Sequence, residues 1–310
     1  MIKSFVFSLL FILMSQADGF EGLTQPNSKC ACTSQAGDFL EAPQAFNFGR
    51  FKGQCIDSCR FRGARILSKS PYPKVKIGPG EVMVGNVLHL ETFHTALVPL
   101  HGVEKAEVGF EEFSPGIFHV FLRFTLSEAS PSIRLFGQNQ RPHTVAKTRT
   151  LVLSSEGVPP HDHKYDLLES YFGHYLMVHR VTSGEESVRW TSKLKHPVKY
   201  HALNVTAAQA AQILKGGLVE SDKTQLQNIY QLFTNNCATA ALGFIDKGLA
   251  GSVVVPAPFL QMDKALPLAG PLGTLRFLQA RNLVVEDMPT HTRLNVVGLL
   301  SRLGRLSKTQ

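Results

Sequence analysis

The first seventeen residues set the conditions under which everything after them folds. Lys3 precedes a run of ten residues, Phe5 to Met14, that is apolar except for Ser8, and Ser15-Gln16-Ala17 follows before Asp18. A basic start, an apolar stretch too short to span a bilayer comfortably and a small-x-small site make an export signal, with cleavage expected after Ala17. No lipobox follows, since Cys30 comes after Asn27-Ser28-Lys29, so the chain is not expected to be a lipoprotein itself.

Export implies an oxidising compartment, and the cysteines divide unevenly there. Cys30, Cys32, Cys55 and Cys59 lie within thirty residues, and Cys237 stands far from them. The four clustered ones read as two disulfides with three possible connectivities. A zinc site is the rival, but the internal spacings of one and three residues do not match a C-x2-C knuckle. Cys237 is left over, and an unpaired exported cysteine is either buried and inert or kept for its reactivity.

Of 310 residues, 44% are hydrophobic and 18% charged, which excludes a disordered chain and gives enough apolar mass for a full core without staples. The formal charge of +8 calls for an anionic partner or serves solubility alone. Export argues against nucleic acid and moves the weight of that charge toward an anionic membrane surface.

The pattern along the chain begins with a polar, Gly- and Pro-punctuated lead-in at 18–80, pinned by the clustered cysteines. Strand-like runs follow at 82–90, 95–100, 117–125 and 148–155. Thr206-Ala207-Ala208-Gln209 has the form of a capping box opening a helix that Gly216-Gly217 would end. Residues 226–233 suggest a second helix, and a third starts near Cys237 and stops around 248–251. Strands first and helices after predict an α+β domain with an antiparallel sheet over 81–280. Residues 252–278 read as a long apolar loop. Residues 281–310 read as a basic amphipathic segment, either lying on a membrane or docked on the chain's own core.

Chemistry concentrates at Thr234-Asn235-Asn236-Cys237-Ala238-Thr239, where a thiol sits as a helix begins. Asn235 or Asn236 can cap the first N–H groups, and the positive end of the helix favours a thiolate. A thiolate needs a base. Strand alternation sends Ile117, His119, Phe121 and Arg123 to one face and Phe118, Val120, Leu122 and Phe124 to the other. A histidine in so apolar a strand must find a polar partner, and a core histidine satisfied by backbone is the alternative to a base. His174 is the second candidate. His89-Leu90-Glu91-Thr92-Phe93-His94 is not the zincin H-E-x-x-H and, read as strand, points its two histidines to opposite faces. His161-Asp162-His163 after Pro159-Pro160 reads as an exposed loop. No metal and no cofactor are expected.

Two segments carry a resemblance. Residues 200–209, Tyr200-His201-Ala202-Leu203-Asn204-Val205-Thr206-Ala207-Ala208-Gln209, and 230–239, Tyr230 through Asn235-Asn236-Cys237-Ala238-Thr239, resemble the signature of the Lnb N-terminal periplasmic domain family (DUF4105). Residues 114–123 are similar to that family's histidine strand, with His119 at the histidine, and 151–160 and 167–175 to two further stretches. The family looks like a relative of permuted papain-like (NlpC/P60-like) thiol enzymes, in which the histidine strand precedes the cysteine helix, and its members include lipoprotein N-acyltransferases.

The resemblance implies a periplasmic, membrane-peripheral monomer that takes an acyl chain from a phospholipid or lipoprotein donor onto Cys237. It then passes the chain to the N-terminal amine of a lipoprotein acceptor. His119 is the expected base, and Ser154 is the guess for the residue that orients it. Arg123 for a lipid phosphate, Asn236 for the oxyanion and His174, which falls at a usual glycine position and loses weight as the base, make up the expected substrate-binding set. A cysteine peptidase or amidase and a non-enzymatic envelope-binding module are the rival readings.

Overall fold

Runs of Val, Leu, Phe and Thr broken by turn residues make strands the commonest element of this chain. The computed structural model describes residues 22–32, 40–114, 117–138, 144–232, 234–249 and 271–284. The expected signal at 1–17, residues 252–270 of the expected apolar loop at 252–278 and residues 285–310 of the expected basic segment at 281–310 lie outside the described residues. A short ribbon pairs β1 (Thr24–Pro26) with β2 (Gln44–Phe46). The other strands are β3 (Arg65–Leu67), β4 (Glu81–His89), β5 (Thr92–Pro99), β6 (Val103–Ser114), β7 (Ile117–Leu126), β8 (Ile133–Gly137), β9 (Thr144–Thr148), β10 (Thr150–Val158), β11 (Tyr175–Ser183), β12 (Val198–Ala202) and β13 (Asn228–Tyr230).

These form one 11-stranded sheet in the order β12-β6-β7-β10-β11-β4-β5-β8-β9, with β13 added to β11 and β3 to β4. Every pairing is antiparallel except β11 with β4. The architecture is therefore mixed α+β, a large and mostly antiparallel sheet with helices packed on it.

Five α-helices complete the described residues: α1 (Leu167–Tyr171), α2 (Gly184–Leu194), α3 (Ala207–Thr224), α4 (Cys237–Leu249) and α5 (Pro271–Ala280). Helix α3 and helix α4 share one core with the sheet. Val120, Leu122 and Phe124 of β7 pack there with Ala210, Ile213 and Leu214 of α3 and with Ala241, Phe244 and Ile245 of α4. The odd-numbered residues of β7 face the other way, where Phe121 is buried and its ring covers Gly109 so closely that a Cβ there would lie 2.4 Å from it. A second core sits under the N-terminal ribbon, where Phe46, Phe51 and Ile56 meet Val158, Tyr175 and Val178. Two disulfides, Cys30–Cys55 and Cys32–Cys59, close that segment.

Several sequence expectations are corrected. The capping box forms, with Thr206 Oγ1 accepting from Gln209 N and the Gln209 side chain answering Thr206 N, but α3 runs on through Gly216-Gly217 to Thr224. The glycines serve contact rather than termination: a Cβ on Gly217 would lie 2.2 Å from Leu153, and one on Gly248 would lie 2.4 Å from the Ile213 backbone. Residues 228–230 form strand β13 rather than a helix, because Tyr230, Ile229 and Asn228 pair with Tyr175, Leu176 and Met177. Residues 271–280 are helix α5 rather than loop. His89 and His94 flank a turn at Leu90-Glu91, both with positive φ, so their rings meet edge to face at 5.6 Å instead of pointing apart. Each is held separately, His89 by Ser183 Oγ at 2.8 Å and His94 by Thr92 O at 2.9 Å.

The α3–α4 contact is tight enough to test. Gly248→Ala forces a methyl against the backbone of α3 rather than against a movable side chain, so the mutant should lose about 1–3 kcal/mol of stability. Urea unfolding followed by circular dichroism measures it, and an unchanged midpoint would mean that the helices separate at no cost.

Candidate active site

The sheet has a break in its ladder, and the site is built in that break. Strands β7 and β10 pair from Thr125↔Thr150 to Phe121↔Ser154 and no further. Beyond that point β7 continues beside β6 to Ile117, and β10 continues beside β11 to Val158. Val120 N–H, the next donor along the edge, therefore has no partner in β10. It donates to Sγ of Cys237 at 3.5 Å, the sulfur being carried to the gap by the first residue of α4.

The cap fixes the sulfur. Asn236 Oδ1 accepts from Ala238 N at 2.9 Å and Thr239 N at 3.0 Å, and its Nδ2 donates to Leu232 O at 2.7 Å. Both ends of this buried amide are thus spent on the backbone. Asn236 is the N-cap of α4, and the expectation that its side chain would bind substrate is corrected on that ground. Cys237 itself is 7% exposed and is a free thiol.

His119 and Glu156 stand on either side of the gap, where they would have been ladder neighbours had the strands stayed together. His119 Nε2 lies 3.3 Å from Glu156 Oε1, and the imidazole stands near enough to the Cys237 sulfur to lower the thiol's pKa. The carboxylate is supported by Ser154 Oγ, which donates to Oε1 at 2.7 Å, and by Arg180 Nη2 at 3.4 Å. Tyr230 brings a further hydrogen bond to the sulfur, and Tyr165 hydrogen-bonds Tyr230. Ser154 had been the expected orienting residue. The structure places Glu156 against the imidazole, with Ser154 one step behind it.

Charge decides the protonation states. Burial pushes the Cys237 thiol up, but the His119 imidazolium outweighs it, helped by Val120 N–H and Tyr230, and the thiol falls below its ordinary range. Burial pushes His119 down, yet the Glu156 carboxylate and the sulfur hold it well above the usual imidazole value. Glu156 is likewise disfavoured by burial, and His119 with Arg180 brings it below the usual carboxylate range. Burial and the neighbouring sulfur keep Tyr230 well above its ordinary value, so it remains a neutral donor. Both shifts favour the thiolate–imidazolium form of the pair.

The other expected residues lie elsewhere. Arg123 gives Nε and Nη2 to Glu107 Oε2 at 2.6 and 2.5 Å and stacks over Tyr200 with its guanidinium carbon 3.6 Å from the ring centroid. It does line an open cavity of about 520 Å³ with Val152, Val188, Arg189 and Tyr200. His174 Nδ1 is paired with Glu169 at 2.7 Å, beside Phe51, and is not brought to the sulfur. Among the described residues Asp57, Cys59 and His161 have the mutual spacing of a metal site, but the Cys59 sulfur is bonded to Cys32 and offers no thiolate. His161 is half-exposed, as its loop setting suggested.

Sequence reasoning missed Glu156, Arg180 and Tyr230. Glu156 had a readable signal, a carboxylate two residues beyond Ser154 and so on the same strand face. Tyr230 opened the signature segment at 230–239 without being given a role, and Arg180 had no signal, because it reaches the site by cross-strand register. In comparison with known proteins, no family model, no curated protein and no solved structure matches the chain.

The ion pair has a direct readout in alkylation of the single free thiol. In His119→Ala the burial of Cys237 is no longer opposed by a cation, so its pKa should rise and iodoacetamide labelling at pH 6–7 should fall by about ten- to a hundredfold. Equal labelling of both proteins at every pH would show that the imidazole does not ionise the sulfur.

Proposed function

We propose that the chain is an exported thiol acyltransferase of permuted papain-like core that moves an acyl chain from a lipid ester, through a Cys237 thioester, to the N-terminal amine of a lipoprotein. The observation that carries the reading is the buried Cys237–His119–Glu156 set, with its sulfur below the ordinary thiol range.

In the first half-reaction the thiolate attacks the ester carbonyl, a C–S bond forms and the carbonyl oxygen becomes an oxyanion. Val120 N–H and Tyr230 O–H donate to the resting sulfur. They lose that acceptor as its electron pair goes into the new bond, and they are then free for the oxyanion. Each such donor is worth about 3 kcal/mol in related chemistry. The C–O bond breaks, and His119 gives its proton to the departing alkoxide. In the second half-reaction an amine attacks the thioester, neutral His119 takes the amine's proton, and the thiolate leaves with an amide formed. Glu156 holds the imidazole through both halves.

A lipid donor is favoured by a group of exposed aromatic and apolar side chains that reaches Tyr230. Tyr165, Leu168, Tyr171 and Phe172, on α1 and its flanks, are all more than a third exposed, and Tyr165 is the residue that reaches Tyr230. Aromatic side chains with a polar tip suit a bilayer interface. The clustered disulfides fit an extracytoplasmic site. One observation favours a peptidase or amidase instead: the open cavity beside Arg123 and Tyr200 lies on the sheet face that carries His119 and could take a peptide.

Intact-mass spectrometry of the purified chain mixed with phospholipid separates the readings. A mass gain of one acyl group on Cys237, absent in Cys237→Ser and discharged by a peptide with an N-terminal cysteine, is expected. Cleavage of a peptide substrate with no acyl adduct would replace this function by the hydrolase.

A further inference from the structure

Glu156 Oε1 accepts two hydrogen bonds and makes one ion-pair contact, since His119 Nε2 lacks the alignment of a donor. Ser154 Oγ lies 2.7 Å from it, His119 Nε2 3.3 Å and Arg180 Nη2 3.4 Å. A carboxylate facing an imidazolium alone would hold that proton tightly, whereas one shared with a guanidinium holds it less. The sharing matters because His119 has to release its proton during the reaction.

Arg180 is placed by two parts of the chain that are distant in sequence. Its strand position on β11 sits opposite Ser154 on β10, which points both side chains to the Glu156 side of the sheet. Its head is held by the N-terminal segment: Nη1 donates to Arg60 O at 3.3 Å, and the guanidinium lies 5.5 Å from the centre of the Phe61 ring. Phe61 follows Cys59 by two residues, immediately beyond the loops that Cys32–Cys59 and Cys30–Cys55 close. The side chain is 16% exposed, and its Nε is buried with no acceptor. An arginine kept with an unsatisfied buried nitrogen is a poor choice for stability alone.

We propose that Arg180 is a positioning residue that fixes Glu156 Oε1 and limits its grip on the His119 proton, and that the stretch just beyond the disulfide loops, Arg60-Phe61, acts on the catalytic pair through it. The proposal rests on the thiolate–imidazolium reading of Cys237 and His119 but not on the nature of the acyl donor. Among the described residues the other groups facing the pair are Tyr230 on β13, Tyr165 before α1, and Glu111 on β6, which lies opposite His119 in register and is taken up by His196 Nδ1 at 2.6 Å. None of these supplies a cation within the sharing arrangement.

The test is the pH profile of Cys237 alkylation by iodoacetamide on the purified oxidised chain, read by mass spectrometry. Two inflections bound the ion-paired form, the lower for its appearance and the upper for loss of the imidazolium proton. Removing a positive charge favours protonation of every neighbour. Arg180→Met should therefore move both inflections upward, by about one pH unit. Arg180→Lys should bring them back toward the wild-type positions, and Phe61→Ala, which keeps the charge but frees its head, should give a smaller upward shift.

Near-ultraviolet circular dichroism confirms that each variant is folded, and Phe61→Ala carries the test if Arg180→Met is not. Folded Arg180→Met with both inflections at wild-type positions overturns the proposal while leaving the catalytic pair intact. A wild-type profile with no reactivity below the ordinary thiol range overturns the pair and this proposal together.

Discussion

A sulfur anion buried in a protein interior persists only if a cation is buried against it, and that cation in turn needs its own counterion. The centre of this molecule is such a chain of alternating charges, from Cys237 through His119 and Glu156 to Arg180. Burial disfavours the charged forms of Cys237, His119 and Glu156, and their neighbours in the chain favour them. The chain ends at Arg60 and Phe61, so the stretch that directly follows the disulfide loops is its outer anchor. What admits this chain into a sheet is the early end of the β7–β10 ladder, which frees one backbone N–H for the sulfur and opens a space for two side chains.

The helices exist, in this light, to deliver one atom to that opening. Helix α4 lies against α3 at backbone distance because Gly248 faces Ile213, and α3 in turn lies close on β10 because Gly217 faces Leu153. Asn236 then fixes where α4 starts, tying Ala238 and Thr239 on one side and Leu232 on the other. A side chain at either glycine would move the helix as a body, and the sulfur with it. Core packing and nucleophile placement are therefore one constraint here rather than two.

How much of this could be read in advance follows from which interactions are local. The cap at Asn236-Cys237 and the capping box at Thr206 and Gln209 involve residues within a turn of one another, and the sequence carries them whole. The two faces of β7 follow from alternation alone, which is why His119 stood out. Glu156 did not, because a lone carboxylate in a strand reads as a solvent-facing residue unless the ladder beside it is known to stop. The same lack of long-range information turned Gly216-Gly217 into an apparent helix end and 226–233 into an apparent helix. A glycine pair says that side chains are absent, not whether the absence serves a turn or a contact, and three residues of β13 are strand only because Tyr175 to Met177 offer an edge.

The charge chain also determines how the fold responds to acid. Glu156 has a lower pKa in the folded chain than in the unfolded one, with His119 and Arg180 overcoming the effect of burial. Its stabilising contribution is therefore fully present above the unfolded carboxylate value and drains away as pH falls below that value toward the folded one. His119 has the opposite sign: its raised pKa contributes below the ordinary imidazole value and is lost as pH rises through the folded value. The two windows overlap in mildly acidic solution, between the ordinary carboxylate and imidazole values. There the carboxylate is ionised and the imidazole protonated even without the fold's help. Toward neutral pH the imidazolium depends on its partners to keep its proton, and it is in that range, where the proton is held by the site rather than by the solvent, that a transfer to a leaving group can be controlled by geometry.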